Sequence, residues 1–241
     1  MKAILLAAGR GERLRPLTDH TPKPLLRVHG KALIEWHLEA LARAGVRDVV
    51  VNTAWREEQI VARLGDGARC GVRIAYSLEG RDHGGALETA GGLKKALPLL
   101  TEGGELGAFW YVAADVYAPH FEFDRRHVAQ FERSPLLGQL WMVPNPPQHP
   151  LGDFGIDAAG LAVPDSADPQ APRFTWSGVA LFRPEFVTTL MAELAPGAKA
   201  KLRPYLDAAI AQRRLGAQML GVAWADVGTP QRLEELNRAA T

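Results

Sequence analysis

The chain has 241 residues, of which 47% are hydrophobic and 23% are charged, as expected of a globular protein with a substantial core. Its 28 Lys and Arg against 27 Asp and Glu give a formal net charge of +1. A nucleic-acid-binding protein usually carries a basic excess, so this balance argues against a nucleic-acid partner. Any anion that the chain binds must therefore meet a local cluster of cations.

The first half of the chain alternates apolar runs with segments of helical periodicity. Residues 2–7 (KAILLA) predict a strand buried on both faces. This run is too short to span a membrane and has no cleavage site behind it, so we expect a cytoplasmic protein without a membrane partner. The pattern then predicts a helix over 32–44, a strand over 46–52, a helix over 56–64, a strand over 72–77, a helix over 87–97 that Pro98 ends, and a strand over 108–114.

The second half is less regular, with a turn-rich span from residue 144 to 172. Its pattern predicts strands over 137–143 and 174–182, helices over 185–194, 205–214 and 231–240, and an extended segment over 217–223. The β-α-β alternation predicts an α/β fold, Rossmann-like, with three αβα layers around a mostly parallel, mixed sheet. No repeat or linker divides the chain, so we expect one domain over residues 1–241.

The number and spacing of the cysteine and histidine residues do not indicate a metal site. Cys70 is the only cysteine, which excludes an intrachain disulfide and a Cys-rich metal site. The expected role of Cys70 is that of a small buried hydrophobe. The seven histidines show no HExxH or comparable metal-binding spacing.

A glycine-rich loop follows the first strand directly. In an open parallel sheet, ligands bind outside the carboxyl ends of the strands, and Gly9-Arg10-Gly11 lies at that edge. Glycines let backbone N–H groups approach an anion, and Arg13 can present a planar fork to phosphate oxygens. A plain strand-to-helix turn is one alternative. A dinucleotide fingerprint is the other, but its third glycine position holds Leu14.

Lys23 lies between two prolines, Pro22 and Pro24. Each proline fixes its own φ and restricts the residue before it, so the lysine side chain leaves a stiff backbone in a defined direction. A compact ammonium held in this way suits a phosphate group. The alternative is an ordinary exposed loop lysine, but the neighbouring cations and the strand-end position favour phosphate binding.

This stretch resembles the signature of the nucleotidyltransferases that join a nucleoside triphosphate to a sugar 1-phosphate. In that family G-x-G-x-R is followed by P-x-T and then P-K-P. The matching residues here are Gly9, Gly11, Arg13, Pro16, Thr18, Pro22, Lys23 and Pro24.

The resemblance implies a fold of the nucleotide-diphospho-sugar transferase type, with a nucleotide-binding half over about 1–115 and a sugar-binding half over about 116–241. It also implies roles in the loop. Ala8, Gly9 and Gly11 would bind the nucleotide. Arg13 would neutralise the leaving pyrophosphate, and Lys23 would hold the α-phosphate region and the nucleophile.

A reaction between two phosphates needs a divalent metal to offset their negative charge, and oxygen ligands suit Mg²⁺. The resemblance matches Asp115, at the end of a strand, and Asp226, in WADVGT, to the metal-binding aspartates. Each could instead cap a turn or a helix. Thr229 is better placed to cap the last helix, which leaves Asp226 free for another role. Many relatives carry glycine before the first aspartate, where this chain has Ala114.

Two segments resemble the part of the family that reads the nucleobase, residues 76–79 and 87–92. The resemblance implies that the Glu79 side chain and main-chain groups near Gly91 meet the base. Glu79 can accept a hydrogen bond from uracil or from guanine, so it does not decide between them. Residues 80–86 (GRDHGGA) form a longer loop than in the relatives, which we interpret as a solvated excursion.

The second half resembles the family's uridylyltransferases that act on N-acetylmuramate 1-phosphate. On this basis Asn145, Asp153, Ser177 and Lys201 are the expected substrate-binding residues, with Lys201 near the sugar phosphate. The expected substrates are UTP and a sugar 1-phosphate. The alternatives are mannose 1-phosphate with GTP, glucose 1-phosphate with another triphosphate, or a non-catalytic nucleotide-sugar sensor. The sequence predicts no oligomeric state.

Overall fold

The computed structural model describes residues 1–104, 107–164 and 172–238. Its helices are α1 (Leu17–His20), α2 (Leu33–Arg43), α3 (Glu57–Leu64), α4 (Glu79–His83), α5 (Glu88–Thr101), α6 (Arg125–Glu132), α7 (Pro184–Leu190), α8 (Arg203–Ala211) and α9 (Pro230–Arg238). Its strands are β1 (Lys2–Leu6), β2 (Arg27–Val28), β3 (Lys31–Ala32), β4 (Asp48–Thr53), β5 (Arg73–Leu78), β6 (Phe109–Ala113), β7 (Val116–Tyr117), β8 (Gly138–Val143), β9 (Phe154–Ile156), β10 (Ala162–Val163), β11 (Arg173–Phe182), β12 (Leu215–Met219) and β13 (Ala225–Asp226).

A nine-stranded sheet forms the centre of the molecule. Strands β5, β4, β1 and β6 lie side by side and run parallel. The long strand β11 continues the sheet antiparallel to β6, and it also pairs with β8 and β9. Strand β12 runs parallel to β8, and β10 pairs antiparallel with β9. The predicted α/β fold with a mostly parallel, mixed sheet is confirmed.

Hydrophobic residues fill both faces of this sheet because the side chains of each strand alternate. In β1, Leu5 faces the layer that contains α2 and α3, whereas Ile4 faces the layer that contains α5 and α7. The same alternation in β6 sends Trp110 to the first layer and Tyr111 to the second. Both layers are built around fully buried aromatic side chains, each of which contributes roughly 1.5–3 kcal/mol by leaving water.

The structure differs from the sequence-based expectation in four segments. The helix predicted over 87–97 continues past Pro98 to Thr101, since proline removes only one hydrogen bond near the helix end and Leu100 packs in the core. Residues 81–84 are exposed, as expected of a solvated excursion, but α4 makes the first half of this loop helical. The turn-rich span contains β9 and β10, and α6 was not predicted because only Val128 and Phe131 of its eight residues are buried.

The carboxyl ends of β1, β4 and β6 meet at one edge of the sheet, since these strands are parallel. A small antiparallel pair, β7 and β13, closes this edge. Strands from both halves of the sequence share the central sheet, so we keep the single domain over residues 1–241 as a proposal. Within the described ranges, no helix combines the length and the apolar character needed to cross a bilayer.

Candidate active site

A cavity of about 640 Å³ lies outside the carboxyl ends of β1, β4 and β6. Its volume is in the range of small-molecule binding sites, and its place in the sheet is the one where α/β proteins bind ligands. The lining combines the glycine-rich loop, the start of α5 and the end of β6. Its residues are Leu6–Leu14, Lys23, Pro24, Asn52, Ala86, Glu88, Thr89, Tyr111, Ala113, Asp115 and Gly228.

The loop after β1 requires glycine at position 11. Gly11 has a φ of +67°, and a Cβ there would lie 2.9 Å from Cγ2 of Thr18 and 3.2 Å from Cβ of Lys23. The Thr18 hydroxyl donates to the Gly11 carbonyl at 2.8 Å, which fixes the turn. A Cβ on Gly9 would meet open space, so the backbone beside Gly9 and the half-buried Ala8 is open to the cavity.

The cations of the loop have different roles. Arg10 lies over the Trp55 ring at 3.6 Å and forms an ion pair with Asp19 at 2.9 Å, and Arg15 contacts the same carboxylate at 2.9 Å. The hydrogen bond from Arg10 lowers the pKa of Asp19. Arg13 lines the cavity and is exposed, and it makes no ion pair or hydrogen bond with the described part of the chain. Arg13 is therefore available for a ligand.

Lys23 brings the two predicted metal ligands together. Its Nζ lies 2.8 Å from Oδ2 of Asp115 and 3.8 Å from Oδ1 of Asp226. The Lys23 side chain is 8% exposed, and residues 23–25 form a 3₁₀ helix that begins after Pro22. The prolines thus direct the ammonium to the edge of the cavity, where two carboxylates partly neutralise it.

The β7–β13 pair sets the position of Asp226. Its register places Asp226 opposite Val116, the residue after Asp115. From α2, Nε2 of His37 contacts the Val116 carbonyl at 2.8 Å. His37 is buried, and burial lowers its pKa, so the ring that supports this pair is neutral near pH 7. Two aspartates more than one hundred residues apart in sequence become neighbours through this short pair.

A second contact orients the Asp226 carboxylate. Nη1 of Arg232, in α9, donates to Oδ2 of Asp226 at 3.0 Å, which leaves Oδ1 toward Lys23. The backbone N–H of Arg232 donates to Oγ1 of Thr229 at 3.3 Å. Thr229 therefore caps this helix, as the sequence indicated, and Asp226 is not needed as a cap.

The pair of aspartates fits a shared magnesium ion. Mg²⁺ prefers oxygen ligands and is commonly held by one or two carboxylates together with substrate phosphates. Oxygens of Asp115 and Asp226 both lie within 4 Å of one cation, Nζ of Lys23. Over residues 1–104, 107–164 and 172–238, no group of three or more acidic, His or Cys side chains forms a metal site by itself.

Glu79 does not reach the cavity as the sequence led us to expect. Its side chain is fully buried. Oε1 accepts from Nδ2 of Asn52 at 2.6 Å, and Oε2 accepts from the N–H of Leu87 at 2.8 Å. Burial raises the pKa of Glu79, against the effect of these two hydrogen bonds. Because both oxygens already accept hydrogen bonds, this carboxylate fixes the start of α5. The predicted contact of Glu79 with a base does not fit this arrangement.

Gly91 also has a packing role. Its N–H donates to the Ala200 carbonyl at 3.3 Å, and a Cβ at this position would lie 2.3 Å from the Ala198 carbonyl oxygen. A Cβ on Gly92 would lie 2.4 Å from Oε1 of Glu79. The two glycines let α5 approach its neighbours closely, so the predicted main-chain contact of Gly91 with a base does not fit either.

Two of the four predicted sugar-side residues stabilise loops around β11. Oδ1 of Asn145 accepts from Oγ1 of Thr175 at 3.0 Å. Oδ2 of Asp153 accepts from the N–H of Trp176 at 2.8 Å. Neither residue lines the cavity. In this structure they hold the loops that flank the first residues of β11.

The other two predicted residues differ in exposure. Ser177 is fully buried, and its Oγ accepts from the N–H of Val179 at 3.2 Å. The Ser177 carbonyl accepts from Nε1 of Trp224 at 2.9 Å. Lys201 is exposed and lies just before α8, outside the cavity lining. Trp224, Asp226 and other residues line a second cavity of about 620 Å³.

Comparison with known proteins agrees with this geometry. The family model for nucleotidyl transferases matches residues 2–241. The chain belongs to the nucleotidyl transferase family. It is 45% identical to the N-acetylmuramate alpha-1-phosphate uridylyltransferase of Neisseria meningitidis serogroup B, over 100% of this chain and 98% of that protein.

Two further relatives and one solved structure are also similar to this nucleotidyl transferase. The Caulobacter vibrioides N-acetylmuramate alpha-1-phosphate uridylyltransferase is 32% identical, over 95% of this chain and 92% of the relative. The glucose-1-phosphate thymidylyltransferase of Neisseria gonorrhoeae is 29% identical, over 98% of this chain and 81% of the relative. A Bacillus anthracis chain described as a glucose-1-phosphate thymidylyltransferase superimposes with a TM-score of 0.80 at 21% identity, over 100% of this chain and 96% of that chain. This similarity supports the fold.

Sequence reasoning assigned no individual role to several residues that line the cavity of this nucleotidyl transferase, among them Asn52, Glu88, Thr89 and Tyr111. Glu88 and Thr89 begin α5, inside the segment that was expected to read the base. Glu88 has a φ of +60°, unusual for a residue other than glycine. Tyr111 belonged to an apolar run that predicted a fully buried strand, and no signal in that run separates a cavity residue from a core residue.

Proposed function

We propose that this protein transfers a uridylyl group from UTP to N-acetylmuramic acid 1-phosphate, which gives a UDP-sugar and pyrophosphate. The observation that carries the proposal is the contact of Lys23 with both Asp115 and Asp226 beside the glycine-rich loop. Family membership supports nucleotidyl transfer. The two N-acetylmuramate uridylyltransferases among the relatives support the choice of UTP and of the sugar.

The loop after β1 would bind the triphosphate. Ala8, Gly9 and Gly11 line the cavity, and a Cβ on Gly9 would meet open space, so a phosphate can approach the backbone of this loop. Arg13 lies at the same cavity with its guanidinium free of partners in the described residues, so it would neutralise the leaving pyrophosphate. Lys23 would contact the α-phosphate and keep the attacking phosphate beside it.

Asp115 and Asp226 would hold Mg²⁺, which supplies positive charge that offsets the charge of the phosphates when it is bound. Arg232 fixes one oxygen of Asp226 and leaves the other for this task. The hydrogen bond between His37 and Val116 supports the strand pair that carries both carboxylates. These residues position charge and take no part in bond making.

In the reaction, an oxygen of the sugar 1-phosphate forms a bond to the α-phosphorus of UTP. The bond from that phosphorus to the oxygen bridging the α- and β-phosphates breaks, and pyrophosphate leaves with the electron pair. The attacking phosphate is already ionised at neutral pH, so no side chain has to remove a proton. Catalysis therefore rests on orientation and charge neutralisation, as in other phosphoryl transfers.

On the sugar side, Lys201 would contact the sugar phosphate, because it is an exposed cation with no partner within the described residues. Asn145, Asp153 and Ser177 would keep the acceptor region in shape through their bonds around β11. The second cavity borders Asp226, which places it next to the proposed metal site.

A panel that measures pyrophosphate release tests the proposal. UTP, GTP, dTTP and ATP are each combined with N-acetylmuramic acid 1-phosphate, glucose 1-phosphate and mannose 1-phosphate, with Mg²⁺ or with EDTA. We expect the highest kcat/KM for UTP with N-acetylmuramic acid 1-phosphate, and none with EDTA. A preference for GTP with mannose 1-phosphate, or for a glucose 1-phosphate pair, would replace the proposed substrates. Binding of a UDP-sugar without any turnover would indicate a sensor.

The metal assignment has its own test. Asp115→Asn and Asp226→Asn should abolish turnover while the far-UV circular dichroism spectrum stays that of the folded protein. Asp48→Asn is the matched control, because Asp48 pairs with Arg73 at the opposite end of β4. Full activity in either active-site variant would show that the metal site lies elsewhere.

A further inference from the structure

The floor of the active-site cavity contains a buried tyrosine that the proposed mechanism does not use. Tyr111 lies in β6 and is 3% exposed, yet it lines the cavity. Its ring stacks on Trp176 with centroids 5.3 Å apart and meets Phe182 edge to face at 5.6 Å. These contacts fix the ring from two sides, so its hydroxyl has a defined position.

The hydroxyl of Tyr111 has no hydrogen-bond partner among residues 1–104, 107–164 and 172–238. The hydroxyl is not one of the fully buried polar atoms that lack a partner, so it is accessible from the cavity that Tyr111 lines. The hydroxyl of a largely buried tyrosine usually finds a hydrogen-bond partner. Burial raises the pKa of Tyr111, so the phenol remains protonated and can both donate and accept. A hydroxyl that is accessible from a cavity, lies on a ring held on two sides and has no partner in the described residues is available to a ligand.

The strand order gives the position of Tyr111 relative to the loop that would bind the triphosphate. Strand β6 lies between β1, which leads into the triphosphate loop, and β11, whose Trp176 stacks on Tyr111. Tyr111, Ala113 and Asp115 are alternate residues of one chain segment, and all three line the cavity. The hydroxyl is thus on the β11 side of the phosphates.

We propose that the Tyr111 hydroxyl binds a polar ring substituent of the acceptor sugar and contributes to selection of the sugar 1-phosphate. The inference rests on the proposed function, because it assumes that a sugar 1-phosphate occupies this side of the cavity. Tyr111 acts here as a substrate-binding residue, and the neighbouring Trp176 holds its ring in place.

Tyr111→Phe is the test variant, because it removes one oxygen and keeps the ring that stacks on Trp176. Initial rates are measured with UTP and N-acetylmuramic acid 1-phosphate, each varied in turn. We expect the KM for the sugar phosphate to rise about three- to tenfold, as for loss of one neutral hydrogen bond, with the KM for UTP unchanged. Tyr76→Phe is the control, because the Tyr76 hydroxyl bonds the Gly65 carbonyl outside the cavity and its removal should leave both KM values unchanged.

An unchanged KM for the sugar phosphate in Tyr111→Phe would overturn the inference, as would a rise in the KM for UTP instead. Equal changes in both variants would also overturn it, since they would indicate a structural effect. Thermal melts of both variants identify loss of folding. If the wild-type protein transfers nothing to any sugar 1-phosphate, the proposed function itself fails. If the wild type is active and Tyr111→Phe has the same KM values, only the inference about Tyr111 fails.

Discussion

Replacing Lys23 with methionine tests the central contact of the site most directly. Lys23→Met keeps most of the buried stem but removes the ammonium that lies 2.8 Å from Asp115 and 3.8 Å from Asp226. Asp115 then loses its cation, and Asp226 keeps its ion pair with Arg232 at 3.0 Å. Breaking a buried ion pair typically costs about 3–5 kcal/mol, whereas an exposed pair contributes about 0.2–1 kcal/mol.

The exposure of the partners places this site between those limits. The Lys23 side chain is 8% exposed, but Asp115 is 44% exposed and Asp226 is 23% exposed, so water screens the carboxylates. We therefore expect Lys23→Met to lower the free energy of unfolding by about 1–3 kcal/mol without metal. The same change should favour a metal ion. Two unit charges about 4 Å apart repel by about 1 kcal/mol in water, and a divalent ion feels about twice that, so Mg²⁺ should bind about five- to thirtyfold tighter.

The assay is a thermal melt across a Mg²⁺ titration without nucleotide, together with the turnover rate. Lys23→Met should melt below the wild type without metal, recover as Mg²⁺ is added, and lack turnover. Lys31→Met is the control, since Lys31 pairs with Glu39 at 2.6 Å on the surface and should change stability by less than about 1 kcal/mol. A Mg²⁺ response equal to that of the wild type would refute the shared site, and normal turnover would refute the role of Lys23.

Three further predictions concern the walls of the cavity. Gly92→Ala should lower the free energy of unfolding by about 1–3 kcal/mol in urea titrations, because its Cβ would lie 2.4 Å from Oε1 of Glu79; an unchanged midpoint would contradict this. The free energy of unfolding of Glu88→Gly should exceed that of Glu88→Ala by about 1 kcal/mol, since only glycine adopts a φ of +60° without strain. The reverse order would mean that this backbone is not strained. Arg10 lowers the pKa of Asp19 below 3.8, so the stability that Asp19 adds is present above pH 3.8 and is lost as the pH falls further. Asp19→Asn should therefore melt below the wild type near neutral pH, and the difference in melting temperature should shrink under pH 4. A difference that stays constant with pH would count against the ion pair.

Local sequence was a good guide to the strands and to the phosphate loop. Apolar runs such as residues 2–7 predicted β1, because a strand buried on both faces has no polar side to alternate with. The spacing from Gly9 to Lys23 carried the family resemblance, and the structure places residues 9–14 together with Lys23 and Pro24 at one cavity. Gly11 shows the reason, since its φ and its contacts with Thr18 and Lys23 allow no side chain.

The same sequence was a poor guide to burial near the cavity. Glu79 and Gly91 lie in the segments that resemble the base-reading part of the family, but both are buried in contacts with other parts of the chain. Glu88 and Tyr111 line the cavity instead. A single sequence does not show which side of a strand end or helix start faces a cavity, because that depends on how distant segments pack against it.

The sequence by itself determined the four parallel strands β1, β4, β5 and β6, the glycine-rich loop and the presence of two candidate aspartates. Only the tertiary structure decided that Lys23, Asp115 and Asp226 meet at one point. The β7–β13 register and the contact from His37 bring these residues together across most of the chain length. Local patterns fix local conformation, whereas a site of this kind depends on long-range pairing, whose register follows from packing of the whole sheet.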